Sequence, residues 1–210
     1  MGVRRVLCLP KNPPPWTDVR SSMVYGPACP NQLLVLDDEF EFAFQRIRGY
    51  ESEENCLNLN IWSKEITAAV KKPVMVWLHG GGFSSGSAIE FPAYDGENLC
   101  TKGDVVVVSI NHRLNVLGFL DLSAYGEKYK SSANAGAMDM VLALTWIKEN
   151  ISNFGGDPDN VTIFGQSGGG AKVICLMNAP SAKGLFHKAI VQSGSYLNHF
   201  LEKSTSKKSK

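Results

Sequence analysis

The chain has 210 residues, of which 44% are hydrophobic and 20% are charged, a composition typical of a globular protein with one buried core. Its formal net charge is only +1, and the C-terminal segment 203–210 carries four lysines, so no basic surface for nucleic acid is expected. Because the sequence has neither about 18 consecutive apolar residues nor the apolar core of a signal peptide, we expect no membrane span and no export signal.

The two ends of the chain differ from its middle. Residues 1–32 contain six of the ten prolines and little hydrophobic periodicity, which predicts an irregular, extended lead-in. The Lys/Ser-rich segment 203–210 is interpreted as a solvated tail. Between them the sequence shows no repeat and no linker, so we expect a single domain over 1–210.

Five apolar segments have the patterns of β-strands. Leu57, Leu59 and Ile61 alternate with Asn58 and Asn60, the period of a half-buried strand. The other segments are short apolar runs, two of them rich in β-branched residues, as expected for strands covered on both faces of a parallel sheet. The predicted strands lie at 57–62, 73–79, 104–110, 161–165 and 187–193.

Two helices are predicted between these strands. Apolar residues recur at helical spacing over 133–151, and Gly155 and Gly156 follow as a stop signal. A second helix is predicted over 171–177. Alternating strands and helices predict the α/β class, with a mostly parallel central sheet and helices on both faces.

The segment Gly165-Gln166-Ser167-Gly168-Gly169 matches G-x-S-x-G, between a predicted strand and a predicted helix. Nucleophilic chemistry needs the serine on such a tight strand-to-helix turn, where flanking glycines relieve crowding around a strained backbone. The helix would also direct its N-terminal N–H groups at a developing oxyanion. Ser167 is therefore a candidate nucleophile, and the alternative is an ordinary serine cap on a glycine-rich helix.

A second glycine motif, His79-Gly80-Gly81-Gly82-Phe83, follows the predicted strand 73–79. Consecutive glycines cost backbone entropy, and folds use them where N–H groups must converge on a ligand without obstruction by Cβ atoms. An oxyanion hole fits that need, whereas a merely flexible loop is the alternative. Two such motifs in this order rarely occur together by chance.

With these motifs, the sequence resembles the type B carboxylesterase and cholinesterase-like family. His112, Gln166 and Gly168 stand where that family usually has tyrosine, glutamate and alanine. The resemblance implies an α/β-hydrolase fold and hydrolysis of small to medium carboxylic esters without a cofactor or metal. The segments that carry it are 54–62, 79–83, 94–96, 104–120, 153–170 and 184–194.

Carried over residue by residue, the resemblance implies that Ser167 attacks the ester carbonyl. It also implies that the N–H groups of Gly81, Gly82 and Gly168 hold the oxyanion. His79 is interpreted as fixing the glycine loop by hydrogen bonds rather than as the catalytic base. Of the five cysteines, which lack metal-binding spacing, Cys29 and Cys56 resemble the family's first disulfide pair, and two buried thiols are the alternative.

The catalytic triad is incomplete in this chain. In this fold the order is serine, then an acid, then histidine. After Ser167 come only His187, in a predicted strand, and His199, and the only acid, Glu202, follows both. The family also has strands before the proline-rich stretch, so we expect a domain truncated at both ends.

Two alternatives to an ester hydrolase stay open at this stage. The same family architecture includes catalytically silent adhesion proteins, so a partner-binding role is one alternative. A non-functional truncated product is the other. Ser167 together with an intact glycine loop favours the enzyme, because a silent relative has no chemical need for both.

Overall fold

The computed structural model describes residues 7–14, 16–31, 49–53 and 55–194. The predicted tail 203–210, His199 and Glu202 lie outside the described residues. Residues 7–14 and 16–31 contain no helix or strand. They are tied to the rest of the chain by a bridge between Ala28 and Glu51 and by a disulfide between Cys29 and Cys56.

A five-stranded sheet has the spatial order β1-β3-β2-β4-β5. Strand β1 runs antiparallel to β3, and all other neighbouring pairs are parallel. The mostly parallel α/β sheet predicted from the sequence is thus confirmed. The strands are β1 (Leu59–Trp62), β2 (Lys72–Leu78), β3 (Val106–Ile110), β4 (Gly156–Gln166) and β5 (Lys188–Gln192).

The strand boundaries differ from the predicted ones for local reasons. Strand β1 begins two residues later than predicted, and the Asn58 side chain just before it donates to the carbonyl of Pro27 at 2.8 Å. Strand β3 begins after Asp104, whose left-handed φ of 52° ends the preceding helix. Strand β4 begins earlier than predicted, since Gly156 already pairs with Lys72 of β2.

Four α-helices connect the strands within the described ranges. The predicted helix 133–151 is present over Ala135–Asn150, and a 3-10 turn then leads to Gly155, whose φ of 76° ends the helical chain. The helix predicted over 171–177 is longer and begins directly after Ser167. The helices are α1 (Glu97–Gly103), α2 (Asn115–Phe119), α3 (Ala135–Asn150) and α4 (Gly168–Asn178).

Helices cover both faces of the sheet, as predicted. On one face, α3 and α4 pack against the side chains of Val76, Val108 and Ile163, which are fully buried. On the other face, the chain entering α1 lies against the side chains of Trp62 and Val107. Burial of both faces explains why the central strands are apolar without alternation. None of the helices in the described ranges has the length and apolar character that a bilayer crossing requires.

Candidate active site

The two glycine motifs meet at the carboxyl edge of the sheet. Strands β2 and β4 are parallel neighbours, with Leu78 in register with Gly165. The loop that follows β2 and the turn that follows β4 therefore leave the sheet side by side. A Cβ atom built on Gly80 would lie 3.8 Å from the Cβ of Ser167. Ligands of parallel sheets commonly bind at this edge.

Ser167 forms the turn between β4 and α4. Its backbone has φ 57° and ψ −122°, a strained conformation for a residue other than glycine. The turn is held on both sides, because the Ser167 N–H donates to the carbonyl of Gln192 at 2.8 Å and its carbonyl accepts from Ala171 at 3.2 Å. The side chain is partly exposed, and its hydroxyl has no hydrogen-bond partner among the described residues.

Three backbone N–H groups lie near this serine. Gly81 and Gly82 have φ values of 79° and 62°, and a side chain on Gly81 would run into the carbonyl of Ser85. A Cβ on Gly168 would overlap the backbone nitrogen of Gly82, so the glycine loop lies directly against the first turn of α4. Within the described ranges, the N–H groups of Gly81, Gly82 and Gly168 donate no hydrogen bond. Such groups can bind a negatively charged oxygen beside the serine.

His79 is fully buried at the base of the glycine loop. Its Nδ1 lies 2.9 Å from the carbonyl oxygen of Gly80, and its ring stacks on the ring of buried His112 with centroids 5.1 Å apart. Burial lowers the pKa of both histidines well below the ordinary range, and the nearby Lys172 lowers both further. Both rings are therefore neutral at physiological pH. His79 occupies the supporting position interpreted from the sequence, and His112 adds a stacking partner that sequence reasoning did not supply.

Sequence reasoning also missed Lys172, which lies fully buried in α4 behind the glycine loop. Its Nζ donates to the carbonyl of His79 at 2.8 Å and lies 3.4 Å from the carbonyl of Gly80. Burial lowers the pKa of Lys172 to about 7, and the Glu90 carboxylate acts in the opposite direction. The available signal was a single charged residue within the otherwise uncharged helix 168–178.

A buried ion pair, also missed from the sequence, anchors the loop that follows β3. The Arg113 side chain is 5% exposed and that of Asp139 is 1% exposed. One carboxylate oxygen of Asp139 accepts from the backbone N–H and from Nε of Arg113 at 2.9 and 2.8 Å. The other accepts from Nη2 of the same arginine. The pair fixes the strand end that carries His112 to helix α3.

His187 lies at the amino ends of the parallel strands, whereas Ser167 lies at their carboxyl ends. It immediately precedes β5, and its Nδ1 accepts from the N–H of Val161 at 3.1 Å. Ser167 follows Val161 by six residue steps along β4 and its turn, a span of about 20 Å at the rise of an extended strand. His187 therefore cannot take a proton from Ser167.

The cysteines of the described residues comprise one disulfide pair and isolated side chains. Cys29 and Cys56 are joined by a disulfide, with their Cα atoms 4.6 Å apart. Cys100 and Cys175 are free thiols. In the part of the chain that the structure describes, no group of three or more His, Cys, Asp or Glu side chains could hold a metal ion.

Comparison with known proteins identifies related esterases. A profile described as the carboxylesterase family matches residues 8–210. The chain is 44% identical over 185 residues to the para-nitrobenzyl esterase of Bacillus subtilis, covering 88% of this chain and 36% of that protein. The liver carboxylesterase of Sus scrofa is 43% identical over 189 residues, covering 88% of this chain and 32% of that enzyme.

Solved structures agree with the sequence comparison. An esterase from the anaerobe Clostridium hathewayi that can hydrolyze aliphatic aromatic polyesters superposes with a TM-score of 0.85 at 53% identity. That match covers 90% of this chain and 37% of the neighbour. A thermophilic PNB esterase superposes with a TM-score of 0.78 at 44% identity, covering 90% of this chain and 37% of its own. The chain therefore spans about a third of the length of the relatives that it matches.

Proposed function

The chain belongs to the carboxylesterase family, and from this premise we propose that the protein hydrolyses carboxylic esters with Ser167 as its nucleophile. The observation that carries the proposal is the placement of a strained, partly exposed serine beside three backbone N–H groups without acceptors in the described structure. A capping serine would need neither the strain nor the adjacent glycine loop.

The residues divide the reaction into two acyl transfers. Ser167 Oγ attacks the ester carbonyl carbon and loses its proton to a base, while the carbonyl oxygen becomes an oxyanion held by Gly81, Gly82 and Gly168. Collapse of this intermediate expels the alcohol, which takes up a proton, and leaves an acyl-serine. Water then attacks the acyl-serine by the reverse of these steps and releases the carboxylic acid.

The N–H of Ser167 itself is not a donor to the oxyanion, because it is already bonded to Gln192. The Gly168 N–H begins helix α4, where the helix dipole favours negative charge. We assign the oxyanion to this N–H together with those of Gly81 and Gly82.

The base and its acidic partner lie outside the described residues. His79 and His112 are buried and bound to backbone carbonyls, and His187 is about 20 Å from the serine along β4. In the described structure none of the three is hydrogen-bonded to Ser167 Oγ. We therefore propose that the proton acceptor belongs to a part of the active protein that packs against the partly exposed side of Ser167.

Substitution of the serine tests the proposal. In the protein expressed from its complete gene, Ser167→Ala should lower hydrolysis of a short-chain p-nitrophenyl ester by several orders of magnitude. A fluorophosphonate probe should label the peptide that contains Ser167. Ser181→Ala, an exposed serine beyond α4, is the matched control and should leave both results unchanged.

The same experiment distinguishes the binding-protein alternative. A catalytically silent relative would show neither turnover nor probe labelling in the wild-type protein. Near-normal turnover by Ser167→Ala would refute the assignment of the nucleophile while leaving the family membership intact.

A further inference from the structure

A lysine without an assigned role lies beneath the glycine loop. Lys172 is fully buried in α4, five residues after Ser167. Burying an ammonium group is costly unless other groups compensate for lost water. Its Nζ meets two backbone carbonyls, those of His79 at 2.8 Å and Gly80 at 3.4 Å. The lysine therefore binds the first two residues of the loop that carries the candidate oxyanion donors.

Peptide geometry connects these carbonyls to the oxyanion donors. The described chain contains no cis peptide bond, and in a trans peptide the C=O and N–H groups point in opposite directions. The Gly80 carbonyl shares its peptide with the Gly81 N–H. When Nζ holds the Gly80 carbonyl, the Gly81 N–H is turned away from Lys172. Gly80 also lies against Ser167, with Cβ positions 3.8 Å apart, so the loop runs between the lysine and the serine.

The charges of the groups around Lys172 allow its ammonium group to act on the glycine loop. His79 and His112 have pKa values well below the ordinary range because they are buried, so they carry no competing positive charge at neutral pH. The Glu90 carboxylate favours the charged form of the lysine. The Phe83 ring lies 6.0 Å from Nζ, at the outer limit of a cation–π contact, so its attraction for the ammonium is weak.

We propose that Lys172 is a positioning residue for the oxyanion hole, holding the carbonyls of His79 and Gly80 so that the Gly81 N–H faces the oxyanion. The ammonium also polarises the Gly80–Gly81 peptide, which strengthens its N–H as a donor when charge develops in the transition state. This inference rests on the proposed ester hydrolysis at Ser167.

Kinetics of Lys172→Met in the protein expressed from its complete gene test the inference. Methionine has a similar length but neither charge nor N–H donors. Because the donors act mainly on the transition state, kcat should fall about tenfold or more while KM changes little. Affinity for a trifluoromethyl ketone, which forms an oxyanion on addition of the serine, should fall in the same proportion as kcat/KM.

Two further variants separate positioning from packing. Val173→Ala is the matched control, since Val173 is the next residue of α4 and is fully buried. It should lower Tm but change kcat less than twofold. Lys172→Gln keeps a neutral donor, so it should lose less kcat than Lys172→Met, and it carries the test if the methionine variant does not fold.

The pH dependence of kcat distinguishes an effect of the Lys172 charge from an effect of packing. Because the pKa of Lys172 is about 7, the charge is lost as pH rises. The ratio of wild-type kcat to that of Lys172→Met should be largest near pH 6 and should shrink towards pH 9. Burial keeps the pKa of His79 and of His112 well below the ordinary range, so both rings stay neutral in this window.

The outcomes distinguish this inference from the proposed function. Wild-type kcat and analogue affinity in Lys172→Met and Lys172→Gln would overturn the role of Lys172, provided that Ser167→Ala is inactive. The role of Lys172 would also be overturned if Val173→Ala lowered both Tm and kcat as much as Lys172→Met does. Retained turnover in Ser167→Ala would instead refute the proposed function.

Discussion

At Ser167 the backbone adopts a conformation that the chain must stabilise elsewhere. A residue other than glycine in such a strained region costs about 1–3 kcal/mol. Two hydrogen bonds offset this cost. The Ser167 N–H donates to the carbonyl of Gln192, and the Ser167 carbonyl accepts from the N–H of Ala171. Strand β5 therefore supports the serine turn although it contributes no side chain to the reaction. This contact gives residues 184–194, one of the segments with family-like sequence, a structural role in holding the serine turn.

The pKa of Lys172 predicts how the free energy of unfolding depends on pH. Its pKa is about 7 in the folded protein and 10.5 ordinarily, so the unfolded chain binds the additional proton between these values. The penalty of burying the charge is therefore fully present below pH 7 and is relieved as pH rises towards 10.5. From pH 7 to pH 9 we expect the wild-type protein to gain about 2 kcal/mol in free energy of unfolding relative to Lys172→Met.

Urea unfolding at pH 6, 7, 8 and 9 measures this difference. Groups that do not interact with Lys172 titrate alike in both proteins, so their effects cancel in the comparison. Parallel stability curves for the wild type and Lys172→Met would show that the lysine is not perturbed by burial.

At the scale of elements, the connection between β3 and α3 depends on one ion pair. Arg113 is in the loop after β3, and Asp139 is in the second turn of α3. Loss of the Asp139 carboxylate removes the buried negative charge that Nε and Nη2 of Arg113 contact. The contact also supports the stacked histidines, because His112 is adjacent to Arg113 and its Nδ1 lies 2.9 Å from the Arg113 carbonyl.

We expect Asp139→Ala to lower the free energy of unfolding by about 3–5 kcal/mol, the usual effect of breaking a buried pair. Glu127→Ala is the matched control, since Glu127 pairs with Lys130 in the solvent, where both side chains are more than 70% exposed. That change should cost no more than about 1 kcal/mol. Chemical denaturation measures both, and equal effects would contradict the assignment.

At the scale of the whole molecule, the two edges of the sheet differ. Strand β1 forms one edge, and its residues are half-buried. Strand β5 forms the other edge, where Ile190 and Val191 are 44% and 38% exposed. An edge strand with exposed apolar side chains can pair with another strand or aggregate. The helix residues Trp146 and Met138 are half-buried, with Trp146 lying against Phe154.

The 210-residue chain produced by itself should not turn over esters. Among the described residues, no histidine is hydrogen-bonded to Ser167, and without a base the serine is a weak nucleophile at neutral pH. Residual acceleration from the oxyanion donors should stay about three orders of magnitude or more below the native enzyme.

An esterase assay on the purified chain, with a circular dichroism melt to establish folding, checks this expectation. Turnover that Ser167→Ala abolishes would contradict it. That result would require a proton acceptor for Ser167 within the 210-residue chain, for example His199.

The sequence alone determined the elements and the chemical motifs, because both depend on neighbours along the chain. Apolar runs predicted five strands, helical spacing predicted α3, and G-x-S-x-G after a strand predicted the turn at Ser167. Element boundaries were less well predicted. Strand β4 starts at Gly156 only because β2 lies beside it, and that neighbour is distant in sequence.

The tertiary structure alone decided which polar groups are buried and what they contact. A lysine in α4, an aspartate in α3 and a histidine after β3 have no common pattern in the sequence. Their burial follows from the packing of α3, α4 and the loops over one sheet, which removes water from all three. Packing also placed His187 at the amino ends of the strands, away from Ser167, and Lys172 beneath the glycine loop. Parallel strands bring these distant segments into register.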